Sequence, residues 1–338
     1  MKKVLLTLLL FLTAIFMIGC KEKPKDFHTK IQNNYLSGDY KNATLYAVGD
    51  SELSIPSPIT LSWKNKASSY TLEVKELGKD NGLIIEVDSS SADVYNLKAN
   101  TTYEWFVNGE KQGEFKTVSG LRNLYIDGLT NVRDIGGYNA TGGTVKQGLL
   151  IRSSKLTDDD TGEVLITPKG IEQLKMLGIK TELDLRDTTP DSDGNIEQGG
   201  IIASCVDGVN YISFPMQSGG NYLQLNRKVL PTLFKILANE DNYPILFHCS
   251  IGTDRTGVVA FLVNAILGVS EEDLYRDYLF SNFGYIHGMR HSKTIDDYIS
   301  KVTMEEGKSL SENVEAYLIS LGVDEQDIIS VKNIMIEK

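Results

Sequence analysis

Between Pro244 and Gly257 the chain reads P-I-L-F-H-C-S-I-G-T-D-R-T-G, which puts a thiol (Cys249), a guanidinium (Arg255) and two glycines (Gly252 and Gly257) in one short stretch. An ionised thiol is a strong nucleophile, and a guanidinium forks onto the oxygens of an anion. Sulfur attack on a bound anion is therefore the chemistry these residue types allow. The flanking elements would have to hold them in place. Ile245, Leu246 and Phe247 form a short apolar run of the kind a buried strand shows, and Gly257–Leu267 reads as a largely buried helix stopped by Gly268. A loop joining a strand end to a helix start faces unpaired N–H groups carrying partial positive charge, so it suits phosphate and lowers the pKa of the Cys249 thiol.

The surroundings of that loop read as an α/β layer. From Leu121 onward strands alternate with helices. Thr167-Pro168 caps and starts a helix carrying Ile171, Leu174 and Leu177 on one face, and Ile179–Leu185 and Tyr211–Phe214 follow as strands. Val229–Ala238, Glu271–Leu279, Asn313–Ile319 and Asp324–Met335 read as helices. The stretch before this layer has a different pattern. Short alternating strands at Thr60–Trp63, Tyr70–Val74, Leu83–Val87 and Thr102–Val107, separated by turns such as Asn108-Gly109, predict a small all-β sandwich over residues 44–119 with Trp63 and Trp105 in its core. The fold expected is thus an α/β domain over residues 120–338, a central sheet flanked by helices, preceded by the sandwich.

Residues 1–20 pair Lys2 and Lys3 with an almost wholly apolar run from Val4 to Met17, as a secretory signal does, and residues 21–43 read as a polar spacer. The formal net charge of −11 argues against a polyanion-binding surface, so no nucleic-acid partner is expected. The three cysteines (Cys20, Cys205 and Cys249) are far apart and fit no metal-ligand spacing.

His248-Cys249-Ser250-Ile251-Gly252-Thr253-Asp254-Arg255-Thr256-Gly257 resembles the phosphate-binding loop of the cysteine-dependent protein tyrosine and dual-specificity phosphatases, with Cys and Arg six apart. Asn131–Gly137 (N-V-R-D-I-G-G), Leu150–Ser154 (L-I-R-S-S), Leu183–Arg186 (L-D-L-R) and Asp277–Asn282 (D-Y-L-F-S-N) resemble, in this order, the bacterial secreted tyrosine and phosphoinositide phosphatases. The resemblance implies that Cys249 attacks phosphorus to give a phosphocysteine intermediate and that Arg255 stabilises the transferred group. Ser250, Ile251, Gly252, Thr253 and Gly257 would wrap the phosphate, Thr256 would steady the thiolate and His248 would brace the loop from behind. Arg133 and Arg152 would either help hold phosphate or serve as structural ion-pair partners, and Asp134 would orient Arg133 or the loop. Asp184 is the general acid this resemblance favours, with Asp254 second; Asp187, Asp191 and Asp193 stand on a polar segment as further carboxylates. Cys205 reads as an inert thiol.

No metal or cofactor is needed for such a mechanism. Thr253 stands where that branch usually has Lys, which shifts the expected substrate from inositol phospholipid toward protein phosphotyrosine. A phosphoinositide or small phosphomonoester phosphatase and a non-catalytic phospho-ligand binder are the alternatives. Two further resemblances concern the N-terminal part. Met17-Ile18-Gly19-Cys20 is similar to the bacterial lipobox, departing from it at Met17, which implies a lipidated Cys20, a bilayer tether and an extracytoplasmic location. Leu97–Tyr103 resembles the corner of fibronectin type III domains, in which a Tyr hydroxyl bonds back to the backbone.

Overall fold

A computed structural model describes residues 23–64, 67–186 and 203–338. Cys20 and its apolar leader, and Asp187, Asp191 and Asp193, lie outside the described residues. The first helix corrects the spacer expectation for residues 21–43. Helix α1 (Lys30–Leu36) opens on a capping box between Thr29 and Gln32. It buries Tyr35 in the core of the α/β layer, where Ala43 and Ala47 join it. The Gln32 amide donates to the carbonyls of Leu53 and Ile55, and the Gly49 and Leu53 N–H groups donate to the carbonyls of Asn282 and Phe283. A few apolar side chains anchored by distant partners leave no periodic signal in a sequence.

Six strands follow: β1 (Ile59–Ser62), β2 (Tyr70–Glu76), β3 (Gly82–Val87), β4 (Ser91–Val94), β5 (Thr102–Val107) and β6 (Glu110–Lys116). They form two antiparallel sheets, β1-β4 and β3-β2-β5-β6. Alternate residues such as Tyr70, Leu72 and Val74 point into one core with Trp63 and Trp105, as the period of a pleated strand requires. The Lys98 N–H donates to Tyr103 Oη at 2.8 Å.

The remaining elements are β7 (Arg122–Asn123), β8 (Arg133–Asp134), β9 (Asn139–Ala140), β10 (Gly143–Val145), β11 (Leu150–Ser153), α2 (Pro168–Met176), β12 (Thr181–Asp184), β13 (Asn210–Ser213), α3 (Tyr222–Asn226), α4 (Leu230–Leu237), β14 (Ile245–His248), α5 (Asp254–Ile266), α6 (Glu271–Leu279), α7 (Lys293–Val302), α8 (Leu310–Ser320), α9 (Glu325–Met335) and β15 (Ile336–Glu337). Six of the strands form a mixed sheet in the order β13-β12-β14-β11-β8-β7, parallel from β13 to β11 and antiparallel beyond.

Strand alternation divides the buried side chains between the two faces of this sheet. Leu183, Ile245 and Phe247 join the core that contains α4 and α5, whereas Leu246 joins a second core with Leu174 of α2. Glu182 and Asp184, in register with Leu246 and His248, share the α2 face. Helix α5 is buried at 12 of its 13 positions, which is why the largely apolar run from Val258 located it. It starts at Asp254, earlier than Gly257, so that Arg255 sits in the first turn beside a carboxylate that suits the helix N-terminus.

Candidate active site

The loop between β14 and α5 presents Cys249 at the strand end, 2% exposed. Burial pushes the thiol pKa up, but the Arg255 charge and the N–H and hydroxyl of Thr256 outweigh it, so the pKa lies below the usual thiol value. The shift favours ionisation of the thiol at the point of the fold where an anion would bind. Gly252 makes the turn possible. Its φ is +66°, and a Cβ there would fall 2.3 Å from the Ser153 carbonyl oxygen.

The loop is held by its carbonyls. Asn131 Nδ2 donates to the carbonyls of Ile251 (3.1 Å) and Gly252 (3.0 Å) and to Thr253 Oγ1 (3.1 Å), while Arg152 Nη2 donates to the carbonyls of Gly252 (2.9 Å) and Thr253 (3.2 Å). Carbonyls tied down behind the loop leave its N–H groups free to turn toward an anion.

This bracing bears on the two roles open to Arg133 and Arg152. Arg133 and Arg152 are wholly buried and hold no position on substrate; both pair with Asp277, Arg133 through Nε at 2.8 Å and Arg152 through Nη1. Arg133 also reaches Asn131 Oδ1 and, at 3.1 Å, Ser281 Oγ. Burial and the Arg152 charge bring the Arg133 guanidinium down to about 10. Asp134 pairs with Arg122 at 2.7 Å, leaving Arg133 to Asp277. The sequence motifs around Asn131, Arg152 and Asp277 thus converge in space as one clamp on the back of the loop.

The Thr253 side chain and His248 face the back of the loop as well. The Thr253 hydroxyl is buried on Asn131. His248 lies behind Cys249, with Nε2 2.9 Å from Glu182 Oε1 and Nδ1 3.8 Å from Asp184 Oδ1. Burial lowers its pKa, but the two carboxylates raise it further, so the net shift is upward. Glu182, Asp184 and His248 have the donor types of a metal site, with ligand atoms within 4.8 Å of one another. Here the imidazole sits between the two carboxylates and Arg186 engages Asp184, so side chains of this protein already partner the donor atoms of this trio.

A pH prediction follows from that arrangement. The folded imidazole titrates above its unfolded value of about 6.5, so its contribution to stability is complete below that pH and is lost as the pH rises through the folded pKa. Removing the Glu182 charge, as in Glu182→Gln, should lower the folded pKa and flatten this loss. Urea unfolding over a pH series will show it, and identical profiles for the two proteins would refute the pairing.

The acid expectations are corrected as well. Asp184 is fully buried and accepts from Arg186 Nε and Nη2 and from Tyr211 Oη; burial raises its pKa, but His248 and Arg186 lower it further, and the net shift is downward. It holds an ion pair and has no proton to give near neutral pH. Asp254 is gripped by Arg290 Nε and Nη2, both at 2.8 Å, and by Tyr278 Oη at 3.2 Å. Sequence reading missed Arg290, because no motif marks it; its N–H and carbonyl are held by Asn282, the last residue of D-Y-L-F-S-N. Asp159 was missed too. Its pKa is raised by burial and lowered further by hydrogen bonds from Arg186 and Ser250, which tie the Asp159 loop to the phosphate loop.

The remaining groups open on a cleft of about 730 Å³ lined by Ser250, Arg255, Pro215–Ser218 and the α3 end through Val229. Arg255 Nη2 donates to Ser250 Oγ at 3.0 Å. Gly257 closes the loop where a Cβ would meet the Tyr278 ring at 2.9 Å. Cys205 is half-buried; burial and the Glu182 charge push its thiol up to about 11, which keeps it protonated and unreactive.

Residues 124–337 match the tyrosine phosphatase family. Among known proteins, a provisionally named tyrosine-protein phosphatase of Cupriavidus necator is 27% identical over 187 residues, which is 49% of this chain and 65% of that protein. A tyrosine-protein phosphatase of Nostoc commune is 32% identical over 72 residues, 20% of this chain and 24% of its own. A provisionally named tyrosine-protein phosphatase OCA1 of Scheffersomyces stipitis is 30% identical over 135 residues, 35% of this chain and 63% of its own. In each case the match spans less than two thirds of the relative's length. Among solved structures, the core catalytic domain of the PP-IP phosphatase SIW14 from S. cerevisiae is 20% identical with a TM-score of 0.29, the match covering 46% of this chain and 88% of that one.

Proposed function

Because the chain belongs to the tyrosine phosphatase family, we propose that it hydrolyses phosphomonoesters through a phosphocysteine intermediate, with phosphotyrosine on protein as substrate. The observation that carries this reading is the lowered thiol pKa of Cys249 at the mouth of a loop whose carbonyls are tied back and whose Arg255 faces the cleft. The thiolate sulfur attacks phosphorus, an S–P bond forms, and the ester P–O bond breaks with its electrons leaving on the departing oxygen. Water then attacks the phosphocysteine, breaking the S–P bond, releasing inorganic phosphate and restoring the thiolate. Arg255 and the loop N–H groups stabilise the equatorial oxygens in both steps.

Two features support phosphotyrosine. Thr253 is turned inward onto Asn131, so no side chain at that position reaches out to the head group of an inositol phospholipid. The phenol of tyrosine, with a pKa of about 10, also departs with less protonation than an alkyl alcohol needs. Turnover of a phosphotyrosine peptide should exceed that of matched phosphoserine peptide and of phosphoinositide vesicles by at least about tenfold, and a preference for the lipid would overturn the choice.

The sandwich is proposed as a fibronectin type III-like spacer and Cys20 as a lipidated residue that tethers the enzyme outside the cytoplasm. Cys20→Ala should release the protein from the membrane fraction; unchanged retention would contradict the tether.

A further inference from the structure

The wall of the cleft opposite the phosphate loop carries a cation that the chemistry above does not use. Lys228 lies in the turn between α3 and α4 and lines the same cleft as Arg255. The wall that carries it is held by a buried side chain two residues away. Asn226 is buried and staples the wall, accepting from the Gln217 N–H at 2.7 Å and donating to the carbonyls of Gln217 (3.0 Å) and Tyr222 (2.8 Å). Among the described residues neither Lys228 nor Arg255 is in an ion pair, and the charged side chains lining the cleft are these two cations. Several lysines elsewhere are differently placed: Lys41, Lys75, Lys98, Lys111, Lys155, Lys175, Lys293, Lys308 and Lys332 each face a carboxylate. Two cations in one cleft with no carboxylate in its lining, on a protein of net charge −11, mark a local anion-attracting field against the overall charge. The apolar neighbours Met216, Leu225 and Val229 thin the water around that field and strengthen it.

We infer that Lys228 is a specificity-determining residue that takes a second anionic group of the substrate while the scissile phosphate sits on the loop. On the phosphotyrosine reading given above, on which this rests, that group is the carboxylate of an acidic residue near the phosphotyrosine. A loop cation such as Arg255 cannot serve both groups, because its fork is committed to the transferred phosphate. A separate cation on a stapled wall can.

The test compares phosphotyrosine peptides that differ by a single Glu or Gln, placed at each nearby position in turn, with wild type, Lys228→Ala, Lys228→Arg and Lys228→Glu. At the responsive position wild type should prefer Glu over Gln by about 3- to 5-fold in kcat/KM, carried by KM, the size expected for one partly exposed ion pair. Lys228→Ala should bring the ratio to about one, Lys228→Arg should keep it, and Lys228→Glu should invert it. Raising salt should shrink the wild-type preference. Equal ratios in wild type and Lys228→Ala at every position would overturn the inference. So would a Lys228 dependence seen with inositol bisphosphate and absent from the peptides. Turnover of the Gln peptide by wild type is a separate readout: its absence would fail the phosphotyrosine reading itself, whatever the Lys228 ratios show.

Discussion

Cys249→Ser is expected to reduce turnover by roughly 10^4-fold or more while phosphate binding survives. The loop N–H groups, the Gly252 turn, Arg255 and the Asn131 and Arg152 bonds that hold the carbonyls back are all outside the substituted atom. What disappears is the thiolate, because a serine hydroxyl does not ionise near neutral pH even beside the Arg255 and Thr256 groups that lower the Cys249 pKa. Steady-state kinetics with an activated aryl phosphate, together with calorimetric binding of inorganic phosphate, separates the two properties. Substantial remaining turnover would mean that the nucleophile lies elsewhere; loss of both would mean that the sulfur supports the loop structurally.

Asp277→Ala is expected to cost about 3–5 kcal/mol of stability, the scale on which removing one partner of a buried ion pair acts. Asp277 is the carboxylate that Arg133 and Arg152 share, and neither guanidinium is exposed at all. Two buried positive charges would lose their counter-charge, against a total stability of about 5–15 kcal/mol for an ordinary domain. Arg152 carries two of the loop carbonyl bonds, so activity should fall with stability even at temperatures where the variant remains folded. Urea unfolding measures the first effect and kcat on folded protein the second. A change below about 1 kcal/mol would show that the clamp is dispensable.

The sequence made the loop and its flanking elements legible because each has a local signature. The apolar run Ile245–Phe247, the largely apolar helix α5 and the glycines with their fixed roles are read from neighbours in the chain. The residues N-V-R-D, L-I-R-S-S and D-Y-L-F-S-N were legible as motifs, but their roles were not, since an arginine aimed at phosphate and one aimed at a buried aspartate look alike in one dimension. Burial decided between them for Arg133 and Arg152. The fold likewise shows Asp184 and Asp254 held by Arg186 and Arg290, partners that no local pattern links to them. Helix α1 was missed for a related reason. Its stability comes from Tyr35 packing against an α/β core that forms much later in the chain, not from its own short sequence.

The central claim is that Cys249 carries the phosphoryl group during turnover. Rapid acid quench of wild-type protein during hydrolysis of a phosphate-labelled phosphotyrosine peptide, followed by mass spectrometry of the peptide spanning Pro244–Arg255, measures this directly. Phosphate on Cys249 in wild type, and none on that peptide in Cys249→Ser, is the predicted result. Efficient turnover with no label on Cys249 at any quench time would contradict it.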